Sequence, residues 1–131
     1  MKKLFLLAAM FFPISAVSAC DGAAIMNDMF NQLEQIGESG EAKLGMQLDR
    51  LKQEKQWNDE QSNALLLEIA DSAETNQAED LRNTAITEMF KMQNSPGLDC
   101  KEMSGIRDEV LKLEQQQWDN LVAEITRRLS L

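Results

Sequence analysis

The sequence predicts an all-α protein, a small bundle of four to five helices that ends in one long helix. Three observations lead there. Apolar residues recur at helical spacing throughout, and no stretch alternates with period two over the length of a strand. Val occurs only at 17, 110 and 122 and Tyr is absent, while Gln, Glu, Leu, Met and Ala abound, which favours helix over sheet. Finally, a single strong break, Ser95-Pro96-Gly97, precedes a periodic pattern that continues to the end of the chain.

The first helix is expected over about 23–36, with Ile25, Met26, Met29, Phe30, Leu33 and Ile36 on one face, ended by Gly37, Ser39 and Gly40. A second, over about 41–56, carries Leu44, Leu48 and Leu51 as a narrow stripe, with Met46 and Trp57 displaced from it. Asn58 is placed to cap the third, because Gln61 three positions later can reach back in a capping box; its apolar face is Leu65, Leu66, Ile69, Ala70 and Ala73. Asn76 with Glu79 repeats that signal before Leu81, Ala85, Met89 and Met92, although no Gly or Pro separates this helix from the third and the two can also run as one.

Asp99, with Glu102 at capping-box spacing, starts the last helix. Met103, Ile106, Val110, Leu113, Leu121 and Ile125 face inward, and Arg127 and Arg128 suit the negative end of the dipole. At 1.5 Å per residue a helix of about 30 residues is roughly 45 Å long, whereas helices as short as the others reach roughly 20 to 27 Å. The last helix is therefore expected to kink, with Ser104-Gly105 as the weak point, or to overhang its neighbours. On an overhang, the stripe of Leu111, Trp118, Val122 and Leu129 lacks a cover within the monomer and becomes a candidate site for a partner protein or a second copy of the chain. Trp57 and Trp118 both stand in polar stretches, where a tryptophan either closes a bundle end or anchors an interface.

The N-terminus reads as an export signal. Met1-Lys2-Lys3 is followed by the apolar run 4–12 and then by Pro13 and small residues up to Ala19. A membrane span needs about 20 apolar residues, and this run is interrupted well before that. Cleavage after Ala19 leaves residues 20–131 as a single domain, two charges more acidic than the formal −9 of the whole sequence. Such a surface repels nucleic acid and anionic lipid, so neither is an expected partner. The charge is uneven: residues 58–89 hold eight carboxylates (Asp59, Glu60, Glu68, Asp71, Glu74, Glu79, Asp80 and Glu88) against Arg82 alone. That favours a basic protein as partner, if it is more than a solvated face.

Cys20 and Cys100 are the only cysteines, and an even count in an exported chain points to a disulfide. A different fate is open to Cys20. Val17-Ser18-Ala19-Cys20 resembles the lipobox of bacterial lipoproteins, and that resemblance implies a lipid-modified Cys20 as the mature N-terminus, with Asp21 resembling the signal for retention at the inner membrane. The two fates exclude each other. A lipidated Cys20 would leave Cys100 an orphan thiol in an oxidising compartment.

Histidine is absent, which removes the usual general base near neutral pH, Ser-His and Cys-His nucleophiles, the HExxH zinc site and histidine haem ligation. With 22 acidic residues, carboxylate pairs at i,i+4 arise by chance and do not mark an active site. The glycines at 37, 40, 45, 97 and 105 form no phosphate-cradling loop. No catalytic residue, metal or cofactor is expected. The MxxM pairs Met26/Met29 and Met89/Met92 have the soft thioethers that Cu(I) prefers, but they fall on or beside apolar stripes, where packing is the expected role.

The function expected is non-enzymatic protein binding in the periplasm, as an inhibitor or immunity protein or an assembly factor of an envelope or secretion complex. A lipid-anchored tether or pilot subunit and a Cu(I)-binding protein are the alternatives. The intact mass of protein isolated from the envelope is expected to equal that of residues 20–131 less two hydrogens for a Cys20–Cys100 bond. A diacylglycerol increment on Cys20 overturns this.

Overall fold

The computed structural model describes residues 20–130. These form four α-helices: α1 (Gly22–Lys55), α2 (Asp59–Ala70), α3 (Ala73–Met92) and α4 (Cys100–Leu129). There is no strand among the described residues. The export signal expected at 1–19 lies outside them.

The first two expected helices are one. α1 continues through Gly37, Ser39 and Gly40 for 34 residues, because none of these positions takes the left-handed conformation that ends a helix. Interior glycines weaken a helix by only about 1 kcal/mol each relative to Ala, an amount that packing along its whole length outweighs. The real terminator is Gln56, at φ 57° and ψ 41°. Its N–H and that of Trp57 both donate to the carbonyl of Lys52.

A 34-residue α1 spans roughly 51 Å, so the 30-residue α4 neither overhangs nor needs a kink, and it runs unbroken through Ser104-Gly105. The two lie parallel. Cys20 meets Cys100, Asp28 meets Arg107 and Gly40 meets Trp118, at a near-constant sequence offset. α2 and α3 together return antiparallel as a third, broken rod. Gly22 at the start of α1 lies against Gln93 after α3, where a Cβ would stand 2.8 Å from the Gln93 Cα.

The capping box at Asn58 forms as expected, with Gln61 N–H donating to Asn58 Oδ1 at 2.9 Å and Asn58 N–H donating to Gln61 Oε1 at 3.0 Å. Asp99 likewise caps α4, accepting from the N–H groups of Lys101 and Glu102. The break between α2 and α3 falls earlier than Asn76. Ser72 caps α3 by accepting from Thr75 N–H at 3.2 Å, and the Thr75 hydroxyl donates back to the Ile69 carbonyl at 3.2 Å, so Ala73 opens α3 instead of extending α2. This Ser72/Thr75 pair stitches the two pieces at a bend.

The core has two parts. At the end where α1 and α4 begin, Met26, Met29, Met89, Met103 and Val110 are buried together. At the far end the buried residues are Leu44, Leu51, Leu65, Ile69 and Ile125, with Trp57, Leu66 and Leu121 packed beside them.

A side chain held in the left-handed region is disfavoured by roughly 1 to 2 kcal/mol, and glycine escapes that penalty. Gln56→Gly is therefore expected to stabilise the protein by up to about 1 kcal/mol once the greater freedom of unfolded glycine is set against it. Denaturant unfolding followed by circular dichroism measures this, and an unchanged or lowered midpoint counts against it.

Candidate functional site

Every member of the stripe expected to lack a cover has a neighbour within the monomer. Leu111 packs against the methionine-rich cluster, and Trp118, Val122 and Leu129 pack against the Leu/Ile cluster, all half-buried. The indole of Trp118 lies directly on Gly40, where even a methyl group would collide with its ring. Its N–H donates to Glu114 Oε1 at 3.1 Å, and the other oxygen of Glu114 pairs with Arg82 of α3. Arg82 also donates to Gln117 Oε1 at 3.2 Å. Trp118 thus joins all three rods at the waist of the bundle. The expectation of an uncovered stripe arose from splitting α1 at its glycines.

Cys20 and Cys100 stand at disulfide distance, with Cα atoms 5.6 Å apart and 80 positions apart in sequence. The pair clamps the starts of the two parallel helices. By chain-entropy reasoning, closing a loop of that length stabilises by at most about 4.5 kcal/mol.

Exposed large apolar side chains lie elsewhere: Met46, Leu67 and Leu81, together with one aromatic pair. Phe30 on α1 and Phe90 on α3 are 43% and 49% exposed, with ring centroids 6.2 Å apart and planes tilted by 41°. Aromatic rings at this spacing attract one another, yet nearly half of each surface faces water. In sequence Phe30 stood on the inward face of the first helix, and Phe90 carried no assignment. Each stands 100° around its helix from a buried methionine, Met29 or Met89, and so projects from the flank of the stripe. That the two flanks meet depends on the antiparallel placement of α1 and α3, which no local pattern encodes.

The third rod is strongly acidic. All eight carboxylates between 58 and 89 are exposed, and the one cation among them, Arg82, is committed to Glu114 and Glu79. Asp59 pairs with Lys52 and Glu68 with Arg128. Among the described residues, Glu60, Asp71, Glu74, Asp80 and Glu88 make no ion pair.

A cavity of about 390 Å³ opens at the bend between α2 and α3, bordered by Glu68, Ser72, Glu124 and Arg128 over Ile69 and Leu121. Its charges largely compensate one another. Glu124 accepts from Arg127 and Arg128, and hydrogen bonding from Arg127 first, then from Arg128, draws its carboxyl down to about 2. Among the described residues no group of three or more Cys, Asp or Glu side chains is arranged to hold a metal, and no helix is long and apolar enough to cross a membrane.

Two outcomes follow. Trp118→Ala is expected to destabilise the protein by about 2 to 3 kcal/mol, near the lower end for a large core aromatic because the residue is only half-buried. Denaturant melts that match wild type would show that the waist contact carries little. A carboxyl with a lowered folded-state pKa contributes stability above its ordinary range that is lost as pH falls through the lowered value. The end of α4 should accordingly loosen between about pH 4.5 and pH 2, with a Glu124 midpoint near 2 in an NMR titration and a higher one in Arg127→Ala.

Compared with known proteins, the sequence matches no family, no curated protein and no solved structure, so a functional reading rests on the chemistry of these surfaces alone.

Proposed function

We propose that this is a non-enzymatic binding protein of the bacterial envelope that holds a basic partner protein against the α1–α3 side of the bundle. The observation that carries the reading is the solvent-exposed Phe30–Phe90 pair beside a rod whose carboxylates outnumber its cations. Aromatic side chains are favoured anchors of protein interfaces, because a ring buries much area at little cost in entropy. Surplus carboxylates around such an anchor accelerate encounter with a positively charged surface and repel acidic ones. Masking an exported basic toxin, or escorting a basic subunit during envelope assembly, both use this combination.

The anchored-lipoprotein alternative draws less support. A Cys20 sulfur engaged with Cys100 is not available for a thioether to lipid. The role of Trp118 as anchor yields to its role at the waist, and Phe30 and Phe90 take its place in the proposal.

The test places a photo-crosslinking amino acid at position 90 in the exported protein and identifies what it captures in the envelope. A defined adduct with a basic protein is expected, weakened by salt and weakened at least roughly 30-fold in affinity by Phe30→Ser with Phe90→Ser, as for loss of hot-spot residues. Helical content should be unchanged. Crosslinking only to itself would make the patch a homodimer seam, and a salt-independent or acidic partner would overturn the electrostatic half of the proposal.

A further inference from the structure

The molecule concentrates sulfur at one end. The two MxxM pairs, far apart in sequence, converge in the core where α1 and α4 begin: Met26, Met29 and Met89 are buried there and Met92 packs against them. Met103 of α4 joins them, fully buried. The Cys20–Cys100 pair closes the same end, since Cys100 lies one helical turn before Met103, at a spacing that sets Cβ atoms about 5 to 6 Å apart on one face. Leu98, just ahead of Cys100, packs on the same cluster.

From this arrangement we propose that the dithiol form of the protein binds one Cu(I) between Cys20 and Cys100, with the thioether of Met103 as the third donor. The site is independent of the partner-binding surface on α1 and α3. Soft thiolate and thioether ligands select Cu(I), whereas hard cations require oxygen. The carboxylates next to the two cysteines in sequence serve as helix caps: Asp21 accepts from Ala23 and Ala24 N–H groups, and Asp99 from those of Lys101 and Glu102. Two thiolates and a thioether form a soft donor set, which also disfavours Zn(II), for which thioethers are poor ligands. Cys100 is the first residue of α4, where the positive end of the helix dipole stabilises the anionic sulfur that a metal needs.

The site exists only after reduction. A dithiol reductant donates two electrons and two protons to the Cys20–Cys100 bond by thiol–disulfide exchange and itself becomes the disulfide. The two thiols then release two protons as they take up one Cu(I), giving a bis-thiolate of net charge −1. Two cysteines whose Cα atoms are 5.6 Å apart can bracket one ion with only a small opening of their side chains. Thiol–disulfide exchange with a disulfide oxidant, which takes up the two electrons and becomes a dithiol, restores the Cys20–Cys100 bond and releases the ion.

The experiment titrates Cu(I), supplied as its acetonitrile complex under argon, into the phosphine-reduced full chain in competition with bicinchoninate. One Cu(I) per reduced chain is expected. The oxidised chain and Cys20→Ser with Cys100→Ser should show no stoichiometric binding. Met103→Leu, which preserves apolar volume, should weaken binding about 10- to 100-fold, the range for losing a supporting metal interaction. Circular dichroism is recorded alongside; should reduction melt the helices, recovery on adding Cu(I) supports the site and its absence overturns it. Reduced protein that binds no better than the double serine variant overturns the proposal. So does binding unchanged by Met103→Leu, or tighter binding of Zn(II) than of Cu(I).

Discussion

The close approach of α1 and α4 at Gly40 is the contact on which the bundle turns. A helix carrying any side chain at position 40 could not come near enough for the Trp118 indole to lie flat on its backbone. Displace the indole, and its N–H loses Glu114, the carboxylate that also holds Arg82 of α3. One missing Cβ therefore sets the separation of the two long rods and the place where the third docks. Arg82 and Glu114 are largely screened from water, with side chains 20% and 14% exposed, so removing either partner would leave a poorly solvated charge behind.

Two long helices side by side in the same direction put like dipole ends together, an arrangement that needs compensation. The structure supplies it at several points. Asp21 and Asp99 place carboxylates at the two positive ends, and Lys52, Lys55, Arg127 and Arg128 place cations at the two negative ones. The returning rod of α2 and α3 runs against both. The Cys20–Cys100 pair then joins the two starts, fixing the register that the Gly40–Trp118 contact reads further along. Parallel rods joined at one end and locked at the waist cannot slide past each other.

Sequence reasoning recovered what local chemistry specifies. The helical periodicity, the caps at Asn58 and Asp99 and the pairing of the two cysteines are all properties of short stretches or of residue counts, and the structure contains each of them. It misread Gly37 and Gly40, because glycine ends a helix only when its backbone turns left-handed, and neither does so here; Gly40 serves instead as the close contact for Trp118, 78 positions away. The error propagated: a shortened α1 made α4 look too long, and its stripe look uncovered. The end of α1 at Gln56 was read where it falls, although no glycine announces it. The Ser72/Thr75 cap was legible in principle, but a Ser followed three residues later by a Thr is a weaker signal than the Asn76/Glu79 spacing beside it. The Phe30–Phe90 pair was not legible, since it belongs to two flanks that only the tertiary arrangement brings together.

The distribution of the surface follows from the same architecture. A three-rod bundle buries one stripe of each helix, and α1 and α4, packed most extensively on each other, leave α3 attached chiefly along its seam with α4. The seam between α1 and α3 is consequently the shallower one. There the bulky flank residues Phe30 and Phe90 meet at the surface, while the smaller Ala85 and Ile86 fill the inner face. An exposed aromatic pair at such a seam does not hold the fold together in the way that Trp118 does, because either ring can be removed without opening a cavity. Two rings side by side on a carboxylate-rich surface are what separates the pair, on physical grounds, both from the packing residues and from the other exposed apolar side chains, Met46, Leu67 and Leu81.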